Sequence, residues 1–304
     1  MSKLLRIGTR DSALALWQAK TLQESLLDIG ILSELVPIKS EGDLNLTQPL
    51  YSMGVTGIFT KTLDTALLNN QIDLAIHSMK DVPTQLPKGI VQAAVLSRGH
   101  VHDVIVWKNK DAKEKAKRTI ATGSLRRKAQ WLSKFPEDQI VPLRGNIQTR
   151  LSKLKSENWE GAIFAAAALS RLEITDEIVE PLLDFLPAPA QGALLVVCRI
   201  EDVETAQQIT LLNNSESEKC TQIERDFLHR LEGGCTAPIG ALAQCKGNKI
   251  HFSGGLYSLQ GSPPQEIHAH FPINESRNKG IEIAEQLLKQ GGANLMKEFR
   301  ENHG

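Results

Sequence analysis

Short β-rich apolar runs alternate with amphipathic helical patterns through the first two thirds of the chain, and that alternation restricts the fold more than any other feature. Strands are expected over residues 4–7, 35–38, 73–76, 90–95, 104–107, 140–143, 162–166 and 193–198. A helix is expected over residues 13–29, stopped by Gly30. The pattern specifies an α/β architecture with parallel or mixed sheets, where ligands collect at strand carboxyl ends and helix N-termini. After Cys235 the pattern changes to strands over 239–243 and 249–257, a turn at 261–264, and helices to the end. That change marks a separate small α+β domain. The lysine-rich stretch 108–118, with Asp111 and Glu114 interspersed, reads as a solvated surface helix.

A chain of 304 residues has room for two or three domains. Lys+Arg and Asp+Glu both number 35, so no global basic field favours nucleic acid, and any recognition of anions must be local. Cys198, Cys220, Cys235 and Cys245 show no metal-ligand spacing, and their scatter fits a reducing, cytosolic compartment. No secretory segment is evident, and the longest apolar run, 162–169, is too short for a bilayer, which needs about 20 residues.

Three strand-to-helix junctions carry arginine. Arg10 neighbours Ser12, a candidate N-cap, after the first strand; Arg126 and Arg127 follow Ser124; Arg144 precedes Asn146, which can cap the helix bearing Arg150. Arg171 follows another strand. Arginines in a first helical turn oppose the helix dipole, and a ligand carboxylate would resolve the conflict by taking both amides and guanidinium forks. Lys80 and Asp81 lie in His77-Ser78-Met79-Lys80-Asp81-Val82-Pro83, directly after a strand, with Pro83 stiffening the turn. Asp81 can be a turn carboxylate capping amides, or a group that handles a proton and stabilises a developing cation. Cys235 stands just beyond the helix pattern 215–231, behind Gly233-Gly234. The negative end of the helix dipole disfavours its thiolate, so the position suits a permanent covalent anchor better than a turnover nucleophile.

These segments, LRIGTRDSALALWQA, HSMKDVP, SLRR, LRGNIQTRLSKL and LEGGC followed by PIGA, resemble the porphobilinogen deaminase (hydroxymethylbilane synthase) family, in the family's order, over residues 4 to about 240. The resemblance implies a transferase that joins porphobilinogen units head to tail with release of ammonia and hydrolyses off a linear tetrapyrrole. It implies that Cys235 bears a dipyrromethane cofactor through a thioether, and that Asp81 is catalytic. Arg10, Ser12, Lys80, Arg126, Arg127, Arg144, Arg150 and Arg171 would hold acetate and propionate groups. It further implies a monomer with two lobes of the periplasmic-binding-protein type (type II) and a small third domain. The corresponding division is 1–96 with 190–214, then 97–189, then 215–304. Two departures stand out: Thr56 occupies a position where the family commonly has lysine, and Pro189-Ala190 precedes Gln191 in place of valine-glycine. A dicarboxylate-binding protein on the same scaffold is the alternative, though it gives HSMKDVP and LEGGC no role.

Overall fold

The computed structural model describes residues 3–38, 60–231 and 237–303. The strands are β1 (Leu5–Thr9), β2 (Ser33–Pro37), β3 (Leu74–Ser78), β4 (Ile90–Val95), β5 (Asp103–Trp107), β6 (Thr119–Ala121), β7 (Gln139–Val141), β8 (Gly161–Ala165), β9 (Ile178–Leu182), β10 (Leu194–Arg199), β11 (Ile239–Lys246), β12 (Lys249–Leu256) and β13 (Gln265–Pro272). The helices are α1 (Ala13–Asp28), α2 (Lys61–Leu68), α3 (Leu125–Lys134), α4 (Ile147–Ser156), α5 (Ala166–Arg171), α6 (Val203–Thr210), α7 (Ser215–Arg230), α8 (Lys279–Leu287) and α9 (Ala293–His303). The described residues divide into two compact units, one built from segments up to residue 99 and from 192–219, the other from 100–191 and from residue 220 onward.

The first unit holds a five-stranded sheet in the order β2-β1-β3-β10-β4, with β1 parallel to β2 and β3, and β10 antiparallel to both neighbours. The second unit repeats this plan as β7-β6-β8-β5-β9, with β6 parallel to β7 and β8, and β5 antiparallel to β8 and β9. In each sheet the antiparallel strand stands fourth in order and is the one out of sequence with its companions. This is the type II periplasmic-binding-protein arrangement the resemblance implies. Strands β5, β8 and β10 are buried throughout, as central strands covered on both faces must be. Leu22 and Leu26 of α1 pack with Ile7, Leu74 and Val196 in the core of the first sheet.

The second unit also contains the three-stranded antiparallel sheet β11-β12-β13, whose inner face packs on α7, α8 and α9 through Phe227, Phe252, Ile250 and Leu287. The Phe227 and Phe252 rings meet edge to face at 5.1 Å.

Three expectations need correction. Residues 108–118 are not a helix: they form only a 3-10 turn over Asp111–Glu114, because Ala112 is the one buried side chain there and no apolar stripe exists to stabilise a helix. Strand β13 occupies a segment expected to be helical. Its alternation, with Ile267 and Phe271 buried and Glu266, His268 and His270 outward, has period two rather than 3.6. Strand β9 is not among the expected strands; it contains Pro181, which its edge position makes tolerable.

Asp73 fastens the first sheet. Its carboxylate is fully buried and receives Arg6 Nε at 2.9 Å, Arg199 Nη2 at 2.9 Å and Lys3 Nζ at 3.0 Å. Burial alone would raise its pKa, but hydrogen bonds from Arg6, Lys3 and Arg199 outweigh that and hold the carboxyl well below the usual range. Stability from this group is therefore complete above the unfolded carboxyl pKa of about 4 and is lost as pH falls below it. Asp73→Asn should lower unfolding stability at neutral pH by about 3 kcal/mol, read from urea denaturation, since it removes the buried counter-charge of Arg199 and leaves that guanidinium only Asp202 at 3.2 Å.

Candidate active site

Strand β3 runs without a break into a 3-10 turn over Met79–Asp81, and Val82, held extended at φ −90° and ψ 131° ahead of Pro83, ends it. This geometry sets Asp81 at the carboxyl end of a central strand. Asp81 lines an open cleft within the first unit, together with Arg10, Ser12, Gln18, His77 and Ser78. Ser12 caps α1 by accepting from Ala15 N at 3.3 Å, and Gln18 Nε2 donates to Ser78 Oγ at 2.8 Å, which ties α1 to the end of β3. Lys80 lies on the same turn, adjacent to the lining residues.

His77 belongs to the expected motif but had no expected role. It is buried, and its Nε2 has no hydrogen-bond partner among the described residues. Burial, then the Arg10 charge, pushes its pKa down to about 4, so it is a neutral imidazole at physiological pH.

In the second unit Ser124 caps α3 by accepting from Arg127 N, and Asn146 caps α4 by accepting from Thr149 N at 2.8 Å. The two junctions touch through Gly123, where a Cβ would lie 2.6 Å from the Leu143 carbonyl oxygen; only glycine permits this approach. Arg126 and Arg127 are both buried and both pair with Asp103, at 2.8 and 2.7 Å. The conflict between arginines and helix dipole is thus partly resolved inside the chain. Arg127 Nη1 also donates to Ile163 O at 3.0 Å and Arg126 Nη1 to Leu186 O at 2.6 Å. One carboxylate against two guanidinium groups leaves a net positive charge. Burial lowers the Arg126 pKa, against the opposing pull of Asp103.

Asp103 was missed from sequence, although an acidic residue opening the apolar run Val104–Trp107 was a visible signal. Arg150 Nε donates to Gly145 O at 2.7 Å, which folds α4 back on the Arg144 turn. Burial lowers the pKa of Arg144, whose Nη1 has no partner among the described residues. Arg171, at the end of α5, is pushed down to about 10 by burial. Cys235 and Thr56 lie outside the described residues.

A cleft that sets an arginine and a serine beside an aspartate, and a buried arginine group with surplus positive charge, suit a substrate rich in carboxylates. Sequence comparison decides which. The family described as porphobilinogen deaminase, dipyromethane cofactor binding domain, matches residues 5–207, and the porphobilinogen deaminase C-terminal domain matches residues 218–289. The chain belongs to the porphobilinogen deaminase family. Its relatives include the porphobilinogen deaminases of Desulforamulus reducens, 38% identical with 99% of each chain covered, and Chlorobium phaeobacteroides, 40% identical with 99% of each chain covered. Among solved structures it is similar to the VFT2 domain of Bordetella pertussis BvgS, with TM-score 0.42, 12% identity, and coverage of 68% of this chain and 85% of that one.

Membership makes the chain an enzyme of tetrapyrrole biosynthesis with a dipyrromethane-binding domain, rather than a dicarboxylate-binding protein. The donor set fits that group: the unpartnered Arg144 Nη1 and the surplus charge over Asp103 are what a ligand bearing several carboxylates would satisfy. No helix among the described residues is long and apolar enough to cross a membrane.

The neutral state of His77 predicts a pH effect. A histidine with a lowered folded pKa stabilises the fold fully above its unfolded value of about 6.5 and loses that contribution as pH falls toward about 4. Over that window wild-type unfolding free energy should fall by up to about 1.4 kcal/mol per pH unit from this group, and His77→Gln should remove that slope in urea titrations.

Proposed function

We propose that this porphobilinogen deaminase uses Asp81 as its catalytic residue and Cys235 as the attachment point of the dipyrromethane cofactor. The observation that carries the reading is that Asp81 shares its cleft with Arg10 and Ser12 at the carboxyl end of β3. When bound, the dipyrromethane supplies the primer for chain growth. Arg10, Ser12 and Lys80 on the first unit, and Arg126, Arg127, Arg144, Arg150 and Arg171 on the second, hold acetate and propionate groups through charge-assisted hydrogen bonds.

Asp81 delivers a proton toward the departing substrate amine, so that ammonia leaves, and its carboxylate then stabilises the positive charge that remains on the substrate. Pro83 and the 3-10 turn keep that carboxylate in place, which spares its reorganisation during the reaction. His77 stays uncharged and does not compete with Arg10 for carboxylates. We assign 1–96 with 190–214, 97–189 and 215–304 as three domains; the three sheets support this division, each falling within one of them. The protein acts as a cytoplasmic monomer.

Replacing Asp81 with Asn should retain the cofactor while lowering turnover of porphobilinogen by at least ~10²-fold, and up to ~10⁴-fold, the usual loss on removing acid–base assistance. Steady-state release of tetrapyrrole measures this. Turnover near wild type would make Asp81 a structural turn residue.

A further inference from the structure

Two thiols outside the catalytic set face each other in the C-terminal part of the second unit. Cys220 on α7 is 3% exposed, Cys245 on β11 is half-buried, and their sulfurs are 3.7 Å apart. The helix and strand that carry them are already clasped by Glu224. It stands four residues after Cys220, on the same helix face, and its Oε1 accepts from Ala243 N at 2.7 Å, two residues before Cys245. Its Oε2 accepts from Ala190 N at 2.6 Å, so the carboxylate is held at both oxygens. The backbones are held this way while the two sulfurs, 3.7 Å apart, need to approach to the about 2.0 Å of a disulfide.

We propose that Cys220 and Cys245 form a redox-modification site that a peroxide converts to a disulfide. The thiolate of Cys245, the less buried of the two residues, attacks one peroxide oxygen; an S–O bond forms, the O–O bond breaks, and the leaving hydroxide takes a proton to become water. The Cys220 thiolate then attacks Cys245 Sγ; the S–S bond forms, the S–O bond breaks, and a second water leaves. The two sulfurs together lose two electrons, and hydrogen peroxide is reduced to two waters. Burial shields Cys220 from the reagent and leaves it as the resolving thiol.

The covalent ring that results runs from residue 220 to residue 245 and contains Cys235. Oxidation thereby restricts, in the unfolded chain, the segment that carries the proposed cofactor attachment, and should raise the thermal midpoint. The site stands on the geometry of α7 and β11 and does not depend on the role given to Cys235.

The test uses the full-length holoenzyme, treated with hydrogen peroxide, unfolded, alkylated with N-ethylmaleimide and digested. The expected result is loss of two alkylatable thiols, a mass lower by two hydrogens, and a linked peptide pair containing Cys220 and Cys245, all reversed by dithiothreitol. In Cys220→Ser the linked pair should vanish and dimedone should trap a sulfenic acid at Cys245. Sulfinic acid at Cys245 with Cys220 still alkylated in the wild type, or linkage through Cys198, would overturn the proposal.

Discussion

One buried carboxylate, Asp103, holds two arginines in place, and the second lobe depends on that imbalance. A guanidinium taken out of water is costly without a partner, and here a single aspartate at the start of β5 partners both Arg126 and Arg127 across the first turn of α3. Burial would raise the Asp103 pKa, but the two arginines outweigh it and hold the carboxyl far below the ordinary range. Gln191 Nε2 adds a further hydrogen bond to Asp103 at 2.9 Å. The arrangement keeps the guanidinium groups rigid while leaving them short of one negative charge. A fixed, under-neutralised cation of this kind is preorganised for an anionic ligand, since little reorganisation remains to be done on binding.

The first lobe solves the opposite problem. Asp73 gathers Arg6, Lys3 and Arg199 and is itself saturated, so that cluster fastens strands and offers nothing to a ligand. The cleft lies elsewhere, where Asp81, Arg10 and Ser12 converge beside an uncharged histidine. The two aspartates differ by placement. Asp73 precedes β3, buried among cations, whereas Asp81 follows it on a turn stiffened by Pro83.

The strand-helix alternation and the caps were legible because they are local. Ser12, Ser124 and Asn146 each accept the backbone bond expected of an N-cap. What escaped was non-local or of mixed signal. Asp103 meets its arginines only after 24 residues of chain fold back. The outward histidines of β13 and the proline of β9 masked strands that pairing nonetheless supports. A lysine-rich stretch with one apolar anchor had helical propensity without the packing that sustains a helix. HSMKDVP and SLRR carry their local geometry in adjacent positions, so the turn at Met79–Asp81 and the Ser124 cap were legible as well.

In the proposed mechanism a proton-donating Asp81 works with a covalent tether at Cys235, and intact-mass spectrometry tests the tether most directly. Protein purified from cells able to make porphobilinogen should weigh more than its polypeptide by one dipyrromethane, and Cys235→Ser should carry no such addition. A bare polypeptide mass in the wild type, or an addition that persists in Cys235→Ser, would contradict the central claim.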